Sequence, residues 1–145
     1  MNQNPTPLPL PPAPVADDAP HVYVINSDAE FLEMIAVLLE DTRARFTLEQ
    51  MRPNVAVTVD NLRSARPDLL LLDVVPYRED ADLLLDYLEE VEELSALPVL
   101  LASTAPGVAA RVAERHGAFV RDILAKPFEI DAFYDLLSRL LREPI

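Results

Sequence analysis

The sequence predicts a doubly wound α/β domain built on five parallel strands. Two observations carry that prediction. Short β-rich or apolar runs alternate five times with segments of helical periodicity. The middle run, Leu69-Leu70-Leu71-Leu72, is continuously apolar and bounded by Pro67-Asp68 and Pro76. Such a run suits a strand buried on both faces of a parallel sheet. Right-handed crossovers then give a flavodoxin-like sheet, with strand order 2-1-3-4-5.

The elements follow in order. Residues 1–20 hold seven of the fourteen prolines and no apolar periodicity, and read as a disordered, partly polyproline II tail. The tail has no basic start and no unbroken apolar stretch, so it is not an export signal. Pro9-Leu10-Pro11-Pro12 matches PxxP, a weak motif better read as spacer. Residues 21–145 form the domain. His21 to Ile25 is the first strand. Ser27-Asp28-Ala29-Glu30 fits a capping box for the first helix, which carries Phe31, Ile35, Leu38 and Leu39. Arg45 to Gln50 is the second strand. Pro53 opens a helix with Val55, Val59 and Leu62. Leu83, Leu84, Tyr87, Leu88, Val91 and Leu94 mark the third helix. Pro98 to Ala102 is the fourth strand, Gly107 to Arg115 a shorter helix, and Val120 to Ala125 the fifth strand. Ile130, Phe133, Leu136, Leu137 and Leu140 mark the last helix.

Composition narrows the function. The net charge of −13 disfavours nucleic acid and anionic membrane as partners. The absence of cysteine excludes disulfides, thiolate metal sites and Cys nucleophiles. No apolar run is long enough to span a membrane, which with the missing export signal predicts a cytoplasmic protein. The chain has 11 Arg and a single Lys, Lys126. Lys is a compact point charge on a flexible stem, which Arg is not.

In such sheets ligands bind beyond the carboxyl ends of the strands. The polar residues there are Asn26-Ser27-Asp28 after the first strand, Asp73 after the third, Ser103-Thr104 after the fourth and Lys126 after the fifth. Lys126 is two strands from Asp73, roughly 10 Å at the backbone, within reach of its stem. Asp68 begins its strand and falls at the opposite edge. His21 and His116 are far apart in sequence with no ligand partner at usable spacing, and read as structural.

Four stretches, Val24 to Asp28, Pro67 to Asp73, Pro98 to Ser103 and Leu124-Ala125-Lys126-Pro127-Phe128, resemble the receiver domain of two-component response regulators. The resemblance covers roughly residues 21–142 and implies a chemistry. A histidine kinase or phosphotransfer protein would donate a phosphoryl group to Asp73, forming an acyl phosphate. Mg²⁺ would bridge the carboxylate and the phosphoryl oxygens. Lys126 would pair with the phosphoryl group, and the Ser103 hydroxyl would turn toward it. The face made by the fourth helix, fifth strand and fifth helix would then change for a downstream protein, or for a second copy of the chain. The domain itself would not be an enzyme.

The sequence departs from the family at four places. Asn26 and Ser27 stand where the family has two acidic metal ligands, leaving Asp28 as a carboxylate that also suits the first helical turn. The loop Val74-Val75-Pro76-Tyr77-Arg78-Glu79-Asp80 has no glycine, though the Val75 carbonyl matches a metal ligand of the family. Ile123 replaces the aromatic that swings in the family's switch. No output domain is expected after Ile145. These departures raise a second expectation, a pseudo-receiver that binds protein without phosphorylation. A flavin enzyme of similar topology would need a phosphate-cradling loop after the first strand, and Asn26-Ser27-Asp28 runs straight into a helix.

Overall fold

The computed structural model describes residues 18–145. The tail reading falls mostly on residues 1–17, outside the described residues. Ala19 and Pro20 are buried, and their carbonyls accept hydrogen bonds from Arg45, so the packed domain begins before His21.

Five strands, β1 (His21–Asn26), β2 (Arg45–Gln50), β3 (Leu69–Asp73), β4 (Val99–Ser103) and β5 (Val120–Ala125), form one parallel sheet in the order β2-β1-β3-β4-β5. Among the described residues five α-helices cover it: α1 (Ala29–Glu40), α2 (Val55–Ala65), α3 (Asp80–Glu89), α4 (Pro106–Arg115) and α5 (Ile130–Leu141).

The period-2 side-chain alternation of each strand splits the core between two faces. Tyr23, Ile25, Leu70, Leu72, Val99 and Leu101 pack with α2, α3 and α4. Val22, Val24, Leu69, Leu71, Leu100 and Ala102 pack with α1 and α5 around Phe133. The central strands therefore need apolar residues at every position, and Leu69 to Leu72 supply them. Burying each such side chain contributes about 2 kcal/mol.

Helix ends follow local chemistry. Asp28, not Ser27, caps α1, accepting the Glu30 N–H at 2.9 Å. Asn54 caps α2 through the Ala56 N–H, so Pro53 lies just outside the helix it was expected to open. Arg66 ends α2 with φ 44°, immediately before Pro67, whose ring disfavours helical backbone in the residue ahead of it. α3 stops at Glu89, and Glu92–Leu94 continue the apolar pattern as a separate 3₁₀ turn. Among the described residues no helix is long and apolar enough to cross a membrane.

Candidate functional site

The carboxyl ends of β1, β3 and β5 meet around one carboxylate. Asp73 ends β3 and is 5% exposed. The Lys126 ammonium, from just beyond β5, donates to Asp73 Oδ1 at 3.1 Å, reaching past β4 as its stem length allows. The Ser27 hydroxyl donates to Oδ2 at 2.8 Å, and the Ser27 N–H approaches the same oxygen at 3.3 Å. Lys126 Nζ also sits 3.9 Å from the centre of the Phe31 ring, a cation–π contact that further fixes the ammonium.

The expected capping box does not form because Ser27 is used here instead. A hydrogen bond to a buried carboxylate is charge-assisted and outweighs one to a helix-end amide. Asp28 takes the cap, as its place in the first turn suggested.

The other expected site residues point elsewhere. Asn26 is buried, and its Oδ1 accepts the Asp28 N–H at 2.9 Å. Ser103 is fully buried but does not reach Asp73. Its Oγ lies 3.0 Å from the Val74 carbonyl and 3.2 Å from the Ala105 carbonyl, and accepts the Ala105 N–H at 2.9 Å. Its own strand-end turn consumes it. The Val75 carbonyl accepts the Arg78 N–H at 3.3 Å, closing the turn that Tyr77 completes with φ 65° in place of a glycine. Asp68 sits at the opposite edge as expected and accepts the His21 N–H at 2.8 Å. Beside Lys126 an apolar groove of about 420 Å³ opens between α1 and the start of α5, lined by Phe31, Met34, Leu38, Pro127, Phe128 and Ile130 among others.

No protein-family model matches the sequence. Chemotaxis protein CheY of Bacillus subtilis is 24% identical over 123 residues, covering 83% of this chain and 98% of that protein. A response regulator receiver protein from Burkholderia phymatum superposes with a TM-score of 0.68 at 24% identity, over 86% of this chain and 96% of that one. Chemotaxis protein CheY4 of Vibrio cholerae superposes with a TM-score of 0.67 at 17% identity, over 84% and 98%. The chain has the fold of a response-regulator receiver domain.

A hard cation needs several oxygen ligands. Here Asp73 has one oxygen on Lys126 and the other on Ser27, Asn26 is turned into its own loop, Asp28 caps α1, and the Val75 carbonyl is in a turn. As arranged, these residues offer Mg²⁺ few free oxygens and fit it poorly. Ile123 is half-buried against the core.

Two clusters escaped the sequence reading. Glu49 on β2 is a buried carboxylate that accepts from Tyr23, Thr58 and Asn61. His116, expected to lack ligand partners, lies against Asp82, Asp86 and Glu89. Distance along the chain hid the histidine, but the spacing of the three acids, four and then three residues, was the available signal that they share one helix face.

Proposed function

We propose that the chain is a receiver-type signalling module that works through contact with a protein partner, without depending on phosphorylation of Asp73. The observation that carries this reading is the closure of Asp73 by the chain's own groups. Its two oxygens accept from Lys126 and Ser27, and the Asp28 carboxylate of the same edge is engaged through one oxygen in the cap of α1. The apolar groove beside Lys126, with Met34 and Ile130 exposed, is a surface through which contact would be felt at this pair.

A second reading keeps Asp73 as phosphoacceptor for a histidine kinase or phosphotransfer protein. The Lys126–Asp73 pair at 3.1 Å favours it, since the ammonium is placed to stabilise a phosphoryl group. In that chemistry a carboxylate oxygen attacks phosphorus, the bond to the donor breaks, and an acyl phosphate remains. Oδ2 would first have to leave Ser27. Incubation with labelled acetyl phosphate and Mg²⁺ separates the two. The module reading expects no label on Asp73. Stoichiometric label, lost in Asp73→Asn, overturns it.

A further inference from the structure

A second cluster lies where the acidic face of α3 meets the end of α4. Asp82, Asp86 and Glu89 share one face of α3, and His116 follows the last residue of α4. His116 is 4% exposed. Its Nε2 is 3.2 Å from Asp82 Oδ1, and its Nδ1 is 3.0 Å from Glu89 Oε1. Asp86 Oδ1 is 3.8 Å from Nε2.

A neutral imidazole carries one N–H. Both ring nitrogens face carboxylates, so a ring with a single N–H would point the lone pair of its other nitrogen at an anion. Asp82 decides which. Arg115 holds its carboxylate by two hydrogen bonds, Nε at 3.1 Å and a terminal nitrogen at 2.5 Å. Held there, Asp82 is a ready acceptor for an Nε2–H, and in that tautomer Nδ1 is the nitrogen open to an ion beside Glu89. Among the described residues Asp86, exposed on the same helix face, and Glu89 make no ion pair with Arg or Lys, although the Arg115 guanidinium lines the same cavity and acts on Asp86 through its charge. One ligand atom from each of His116, Asp86 and Glu89 lies within 4.8 Å of the others. A cavity of about 560 Å³ opens over the three.

We propose that His116, Asp86 and Glu89 bind a divalent transition-metal ion of the Zn²⁺ class. An imidazole with two carboxylates is a Zn²⁺ donor set, and a fourth position opens to the cavity for water. Mg²⁺ and Ca²⁺ favour oxygen ligands alone and suit it poorly. The ion replaces the lone-pair-to-carboxylate contact with two metal bonds. Asp82 is a positioning residue: it holds the ring from the other nitrogen, and Arg115 holds Asp82. The bound ion ties the end of α4 to α3, at a distance from Asp73. The competing occupant is a second proton, which would leave the cluster a purely structural ion pair.

The test is titration of Zn²⁺ alone, and of Mg²⁺ alone, into the metal-stripped full chain near neutral pH, by calorimetry. The expected result is a single micromolar Zn²⁺ site, with no heat from Mg²⁺ at this cluster. Glu89→Gln and Asp86→Asn, both on the surface and tolerated by the fold, weaken it by about tenfold or more. His116→Gln abolishes it, and Asp73→Asn leaves it unchanged. Asp82→Asn weakens binding and shifts the ¹⁵N resonances of the His116 ring, a tautomer signature that loss of packing alone would not give. Millimolar or absent Zn²⁺ binding overturns the proposal. So does tight binding that survives both Glu89→Gln and His116→Gln.

Discussion

Glu49 and Asp73 are both carboxylates buried at the sheet, and the fold closes them in different ways. Glu49, on the edge strand β2, is caged by neutral donors from its neighbours: the Tyr23 hydroxyl at 2.6 Å, the Thr58 hydroxyl at 2.5 Å and the Asn61 amide at 2.8 Å. Burial pushes this carboxyl up, but the hydrogen bonds from Thr58, Tyr23 and Asn61 outweigh it and hold the group below its ordinary value. The same cage pushes the Tyr23 phenol up, first through burial and then through its bond to Glu49. Asp73, on the central strand, is closed by one ammonium and one serine from segments that follow two other strands. The neutral cage binds β1, β2 and α2 together and offers nothing that could move without orphaning three donors. The Asp73 closure depends on a long stem and a loop serine, one donor to each oxygen. Two buried acids of one sheet therefore differ in the kind of donor around them, neutral in one case and charged in the other.

The largest break in this comparison is Glu49→Ala. It leaves three polar groups without their acceptor and should cost about 4 kcal/mol of stability, read as a lowered denaturant midpoint. A loss below about 1 kcal/mol would mean that water replaces the cage easily. Lys126→Met strikes the other region. It strands the Asp73 charge in a buried site and should cost about 2 kcal/mol. Asp73→Asn in the Lys126→Met background should recover part of that loss, because the uncompensated charge is gone. Additive effects in this double-mutant cycle would show that the pair is not coupled.

Acid separates the regions with a smaller effect. The folded-state value of Glu49 lies below its ordinary value of 4.5, so its contribution is full above that pH and is lost as pH falls through the depressed folded value. Stability should therefore drop on acidification below about 4.5, and the drop should be shallower in Glu49→Gln. Equal slopes in the two proteins would remove Glu49 from the acid response.

The fold was legible because its signals are local. Leu69 to Leu72, bounded by Pro67-Asp68 and Pro76, suit a doubly buried strand, and the strand-end residues Asp73 and Lys126 follow from the sheet order. What local pattern could not show was which of several competing bonds a side chain makes. Ser27 looked like a helix cap because S-x-x-E is a capping pattern. The buried Asp73 carboxylate across the edge claims its hydroxyl, and Asp28 takes over the cap. Ser103 was placed at the right strand end but turned into its own loop, which only the three-dimensional course of residues 103–105 decides. His116 was dismissed on chain distance, although α3 and α4 bring it against acids some thirty positions away. Glu49 was invisible for the same reason: its cage draws on β1 and α2, and no motif links them.

The most direct test of the central claim is the response of the natural protein to beryllofluoride at saturating Mg²⁺, followed by amide NMR. Beryllofluoride mimics a phosphoryl group on a carboxylate and needs the metal to hold it. If Asp73 is closed by Lys126 and Ser27 in a site that does not fit Mg²⁺, the amides of Ser27, Val74, Ala105 and Lys126 stay where they are. Saturable shifts at these amides, spreading to β5 and α4 and absent in Asp73→Asn, would contradict that account and return Asp73 to the role of phosphoacceptor.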